Sequence, residues 1–188
     1  IADVRDIEGP KFVFAHLSVP HPPWIFDRNG IRDPESLSTT PNPTGYPKEA
    51  YGEQVVFVNK KLQEVVHALL SGKGDPPIII IQADHGPYLH SSRHDPRFFG
   101  EKFGILNAYY LPNGGNDLLY ESISPVNTFR VIFNHYFGAD YPILDDRSIY
   151  TGDETPWVRT TPHVDVTDLI TIADPRELFC EIVQDLIR

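Results

Sequence analysis

Asp84, His85 and Gly86 follow directly on a run of four isoleucines, in the stretch IIIIQADHGP. A carboxylate beside an imidazole offers one oxygen and one nitrogen donor, a set that suits Zn²⁺ or Mn²⁺. A buried aspartate at the end of an apolar strand is tolerated when a cation offsets its desolvation. Gly86 would permit a backbone conformation that turns consecutive side chains toward one point, which a regular strand forbids. The plainer reading is a strand that stops at a Gly-Pro turn beside a chance Asp–His pair. Spacing alone leaves both open.

Histidines elsewhere widen the choice. His21 lies between prolines in the turn PHPP, where rigidity suits a side chain that faces a ligand. His90 and His94 follow the Asp-His-Gly turn in a polar loop, and solvent exposure is the ordinary fate of such residues. His16 sits inside an apolar pattern and reads as a hydrogen-bonded core histidine. Arg93 and Arg97 could hold an anion, although loop arginines are usually solvated; Trp24 reads as packing its loop. His67 and His135 fall on helices and read as structural, and Cys180 as core.

Positioning these groups requires an α/β arrangement. Residues 11–19, KFVFAHLSV, mix aromatic and β-branched types and predict a buried strand. A loop rich in Pro, Asn and Thr follows through residue 47. Over 49–70, Tyr51, Val55, Val58, Leu62, Val65 and Leu69 recur at helical spacing. SGKGDPP ends that helix and starts the isoleucine strand, giving a βαβ unit with a parallel strand covered on both faces. A polar loop at 87–102 precedes a third strand at 103–111 and a Gly/Asn turn at 113–116. Ser124 as N-cap, Pro125 at the first helical position and a closing Gly138 bound a second helix. Residues 139–173 look irregular, with a short strand at 158–159 or 164–166, and 178–187 predict a terminal helix. Ligands bind outside the carboxyl ends of parallel strands, so His21 and the Asp84–His85 pair are expected to converge on one sheet edge.

Composition excludes several classes. With 188 residues, 40% of them hydrophobic, the chain can form one sizeable core, and a single domain is expected. Sixteen Lys and Arg against 26 Asp and Glu give a formal charge of −10, which argues against nucleic-acid binding. A lone cysteine excludes an internal disulfide framework and any cysteine-rich zinc motif. No apolar run is long enough to cross a bilayer. GxSxG, Walker A, GxGxxG and HExxH motifs are absent.

FVFAHLSVPHPP, the amphipathic helix and IIIIQADHGP, in that order, resemble the alkaline phosphatase superfamily. The nearest branch is the sulfatase-like hydrolases and transferases, with lipoteichoic acid synthases and phosphoethanolamine transferases among them. FGILNAYYLP and SPVNTFRVIFNHYFG resemble the family's next strand and helix, so the likeness spans residues 10–150, with 151–188 an irregular tail. It implies an alkaline-phosphatase-like, mostly parallel sheet flanked by helices. Asp84 and His85 would ligate one divalent cation (Zn, Mn, Mg or Ca). His21, and one of His90 and His94, would face the phosphoryl or sulfuryl group of an ester substrate. The family displaces at phosphorus or sulfur through a covalent intermediate on a metal-activated Thr, Ser or formylglycine.

No sulfatase-type Cys-x-Pro-x-Arg occurs, and the family's nucleophile and a further acidic ligand precede the strand matching 11–19. The expectation is therefore a C-terminal part of a larger catalytic domain, with the missing N-terminal half as its partner. Such a part would bind metal weakly and not turn over alone. Relatives of this branch often carry upstream membrane helices, so an extracytoplasmic, membrane-anchored parent is expected. A domain that keeps the fold but binds a ligand or partner without catalysis is the alternative, and a pure assembly module with an accidental Asp–His pair is a third.

Overall fold

A computed structural model describes residues 1–32, 48–72, 74–87, 95, 97–151 and 163–170. These residues fall into two compact units, drawn from Ile1–Pro77 and from Ile78–Ala173.

The first unit is organised by helix α1, Lys48–Leu70, which agrees closely with its expected span. Its apolar positions form one face, along which Gln54 and Val58 are buried. Trp24 packs edge-on to Tyr51 with ring centroids 6.2 Å apart, and Phe26 meets Phe57 at 5.2 Å. Trp24 is buried, as expected for a residue that packs its own loop. A 3-10 turn at Ala2–Asp6 also rests on α1.

The strand expected at 11–19 is not formed. Residues 11–18 carry no regular structure, and Phe12 and Phe14 are 82% and 81% exposed. His16 is exposed too, which corrects its reading as a core histidine. A strand is made by its neighbour, and among the described residues none pairs with this segment. The expected βαβ unit is therefore not seen.

The second unit contains β1, Ile79–Gln82, and β2, Asn107–Tyr110. They pair antiparallel, with Ile79 opposite Tyr110 and Gln82 opposite Asn107. A mostly parallel sheet was expected; among the described residues the sheets are two-stranded and antiparallel. In a pair of strands both are edges, so β1 is half-buried, where cover on both faces was expected. Between β1 and β2, where the sequence suggested a loop running into a strand at residue 103, helix α2 spans Arg97–Phe103. Asp95 holds its start by accepting the Arg97 N–H at 2.9 Å. Arg97 also pairs with the Asp95 carboxylate, at 2.8 Å.

Helix α3, Pro125–Phe137, starts after Ser124 and ends at Gly138, whose φ of 66° is the left-handed cap the sequence suggested. Strands β3, Ile149–Tyr150, and β4, Val164–Asp165, close a short antiparallel pair. The core of this unit joins Phe98, Tyr150 and Val166, flanked by Phe99, Phe103 and Ile170. Phe98 and Phe99 both meet Tyr150 edge-on, at 5.9 and 5.4 Å. The expected strand at 158–159 and the terminal helix at 178–187, with Cys180, lie outside the described residues.

Asn127 of α3 is fully buried and joins distant parts of this unit. Its amide donates to the Leu144 carbonyl at 2.8 Å and accepts the Leu144 N–H at 3.0 Å. It also reaches the Tyr120 hydroxyl at 2.9 Å and Asp146 Oδ1 at 3.1 Å. Beside it, Thr128 meets the Tyr109 hydroxyl at 2.7 Å, tying α3 to β2.

Candidate functional site

The β1 ladder extends one residue beyond the strand, because the Ala83 N–H still bonds to the Leu106 carbonyl at 2.8 Å. The chain leaves the sheet at Asp84. The Asp84 side chain is 89% exposed, so the desolvation expected of a buried carboxylate does not arise. Its Oδ1 accepts the His85 N–H at 3.0 Å. Its Oδ2 stands 3.8 Å from His85 Nε2, so oxygen and nitrogen donors come together at one place.

The imidazole orientation follows from one contact. His85 Nδ1 lies 2.8 Å from the Gly86 carbonyl oxygen, and a carbonyl can only accept. Nδ1 therefore carries the proton, and in the neutral ring Nε2 presents its lone pair on the side of Asp84. A backbone carbonyl that fixes the tautomer of a histidine is the usual support of a metal-binding imidazole.

Gly86 is needed for a different reason from the one expected. Its φ is not positive. A Cβ at this position would sit 1.7 Å from the Glu101 carbonyl oxygen and 3.4 Å from that of Gly104. The end of α2 lies directly against the turn, and the Gly86 N–H donates to the Lys102 carbonyl at 2.8 Å. The glycine allows close approach of two backbones rather than an unusual dihedral.

His21 belongs to the first unit and is exposed. Its N–H bonds to the Ser18 carbonyl at 3.1 Å, and its Nδ1 lies 2.6 Å from the Pro22 carbonyl. As with His85, a neighbouring carbonyl fixes the Nδ1–H tautomer and leaves Nε2 as the acceptor. The loop that carries it is anchored by α1. Gln54 Oε1 accepts the N–H groups of Ile25 and Phe26, at 2.9 and 3.3 Å, and Nε2 lies 3.4 Å from the His21 carbonyl. Trp24 Nε1 donates to Pro20 at 2.9 Å, and Glu53 pairs with Arg28. Hydrogen bonds from Arg28 hold the Glu53 carboxyl down to about 2.

Asp84 and His85 are thus brought together. His21 stands in the other unit, and His90, His94 and Arg93 lie outside the described residues. The donor chemistry of Asp84 and His85 fits a divalent cation, as two of the four to six ligands one needs. Among the described residues, no cluster of three or more His, Cys, Asp or Glu side chains gathers around them.

A family model, Sulfatase, matches residues 1–129. The chain belongs to the sulfatase family. No curated protein and no solved structure matches it. The sulfatase match covers the His21 loop, α1, β1, the Asp84–Gly86 turn, α2 and β2, and it stops inside α3. Sulfatases are α/β hydrolases that generally use a divalent metal. Sequence reasoning missed Gln54. Its signal was a polar residue between Tyr51 and Val55, beside the apolar face of α1.

Proposed function

We propose that this chain is the cation-binding part of a sulfatase-like catalytic domain that acts on sulfate or phosphate esters. Asp84 and His85 supply two ligands to one divalent cation. The observation that carries this reading is the 3.8 Å approach of Asp84 Oδ2 and His85 Nε2, with the imidazole tautomer set by Gly86. When bound, the cation supplies charge stabilisation for the transferred group and favours a deprotonated nucleophile. Asp84 contributes negative charge, and His85 contributes a neutral nitrogen whose ring is held by the Gly86 carbonyl. His21, when protonated, donates from Nε2 to an oxygen of the transferred group, and His90 or His94 does likewise.

In this reading the nucleophile comes from sequence outside these 188 residues, and the chain alone does not turn over. The support is the family match without a sulfatase-type Cys-x-Pro-x-Arg in the chain. The parent protein works outside the cytoplasm and is held at a membrane by other segments, as in the branch the sequence resembles. Among the described residues no helix is long and apolar enough to cross a membrane. Calorimetric titration of Mn²⁺ or Zn²⁺ into the chain and into Asp84→Ala and His85→Ala tests the ligand assignment. Equal binding by all three proteins would remove it.

A further inference from the structure

The loop that carries His21 is poor in hydrogen-bond donors. Pro20, Pro22 and Pro23 have no N–H, so the backbone from 20 to 23 offers one, that of His21. A segment of this kind cannot be held by a strand ladder. Its place must be set by side chains from elsewhere.

Gln54 meets that need. It is 0% exposed, although it lies on a helix face otherwise lined by Tyr51, Val55 and Val58. An apolar residue would continue that face without the cost of burying an amide. Among the described residues the Gln54 amide meets the loop, across 28 to 33 residues of sequence. One oxygen takes two successive N–H groups, Ile25 and Phe26, on the far side of the prolines. The nitrogen faces the His21 carbonyl on the near side. Both ends of the turn are therefore referred to a single atom group on α1. His21 Nδ1 in turn bonds to Pro22, inside the span that Gln54 closes, so the direction of Nε2 follows from the loop's shape.

We propose that Gln54 is the positioning residue for His21: it holds the turn from which His21, when protonated, presents its Nε2–H to the anionic group of the substrate. This rests on the proposed function for the use of Nε2, but not for the positioning itself.

Nuclear magnetic resonance on the 188-residue chain separates the two. In Gln54→Met, which keeps the volume and loses both hydrogen-bonding roles, the Ile25 and Phe26 amides should exchange roughly tenfold faster or more. The His21 ring nitrogens should lose the Nδ1–H signature and average between tautomers. Gln54→Glu keeps an acceptor oxygen and should restore protection at Ile25 and Phe26; it also carries the test if the Met variant does not fold. Unchanged exchange and an unchanged His21 signature overturn the proposal. So does a lowered melting temperature with His21 unaffected, since that is the mark of a merely structural amide. Inorganic sulfate and inorganic phosphate, added with Mg²⁺, should shift the His21 ring resonances of the wild type. If Gln54→Met alters His21 but neither anion does, the positioning stands and the role of His21 toward substrate falls.

Discussion

The carbonyl oxygen of Glu101 occupies the place of a side chain on Gly86, 1.7 Å from where a Cβ would be. The last turn of α2 and the turn after β1 share that space, and the Gly86–Lys102 hydrogen bond locks them there. Gly86→Ala should therefore cost about 3 kcal/mol, because backbone rather than a flexible side chain must move. Urea denaturation measures it. A loss below about 0.5 kcal/mol would show that α2 can retreat without penalty.

Removing either proposed ligand should weaken divalent-cation binding roughly tenfold or more while leaving the melting temperature of the cation-free chain unchanged. Asp84 is exposed and His85 partly so, and neither fills a core. Calorimetry and thermal melts with and without Mn²⁺ read the two quantities separately. A variant that melts early without the cation would point to a structural role for the pair.

Asp146 accepts from the Ser124 N–H at 2.7 Å, the Ser124 hydroxyl at 2.5 Å and the Tyr120 hydroxyl at 2.6 Å. Asp146→Ala leaves these donors without their acceptor and should destabilise the unit by about 2–3 kcal/mol. Burial pushes the Asp146 carboxyl up, but the bonds from Ser124, Tyr120 and Asn127 prevail and hold it below the usual carboxylate range. Because the folded state lowers this group's pKa, its stabilisation is complete above about pH 4. It is lost as the pH falls through the depressed value. In Asp146→Asn, stability below about pH 4 should fall less steeply with acid than in the wild type. Parallel curves would count against this carboxylate as the source.

The Arg28–Glu53 pair should survive deep into acid. Hydrogen bonds from the Arg28 side chain and backbone lower the Glu53 carboxyl from 4.5 to about 2. The anchor is thus fully present above about pH 4.5 and is lost as pH falls through about 2. The Arg28 amide resonance should titrate with a midpoint near 2. A midpoint near 4.5 would mean that the carboxylate does not hold the loop.

Helices α1 and α3 were legible because their signals are local: apolar spacing in one, and Ser124, Pro125 and Gly138 at the ends of the other. The segment at 11–19 has the composition of a strand, yet composition cannot supply the partner that makes one. The antiparallel direction of β2 depends on α2, whose seven residues are too few to show a clear period. Asp95 before Pro96 and the pair Phe98–Phe99 were its faint signals. Asp84 and His85 could be placed at a strand end from sequence, but their exposure could not, since among the described residues β1 pairs with β2 alone. Gly86 stood out for its type, and the reason lay in the backbone of a helix fifteen residues away. Gln54 looked like one polar residue on an amphipathic helix because its partners are 28 to 33 residues earlier.

The sulfatase match ends at residue 129, the fifth residue of α3, and Asn127 shows what such a boundary would sever. A protein shortened to that point would keep this asparagine and lose Leu144 and Asp146, which take up most of its amide. Ser124 and Tyr120 would lose the carboxylate they share. The stretch that carries the family likeness is thus shorter than the stretch that folds. Tyr150, Val166 and Ile170 complete the core around Phe98, so for anyone choosing where to cut this chain the earliest safe end lies beyond Ile170.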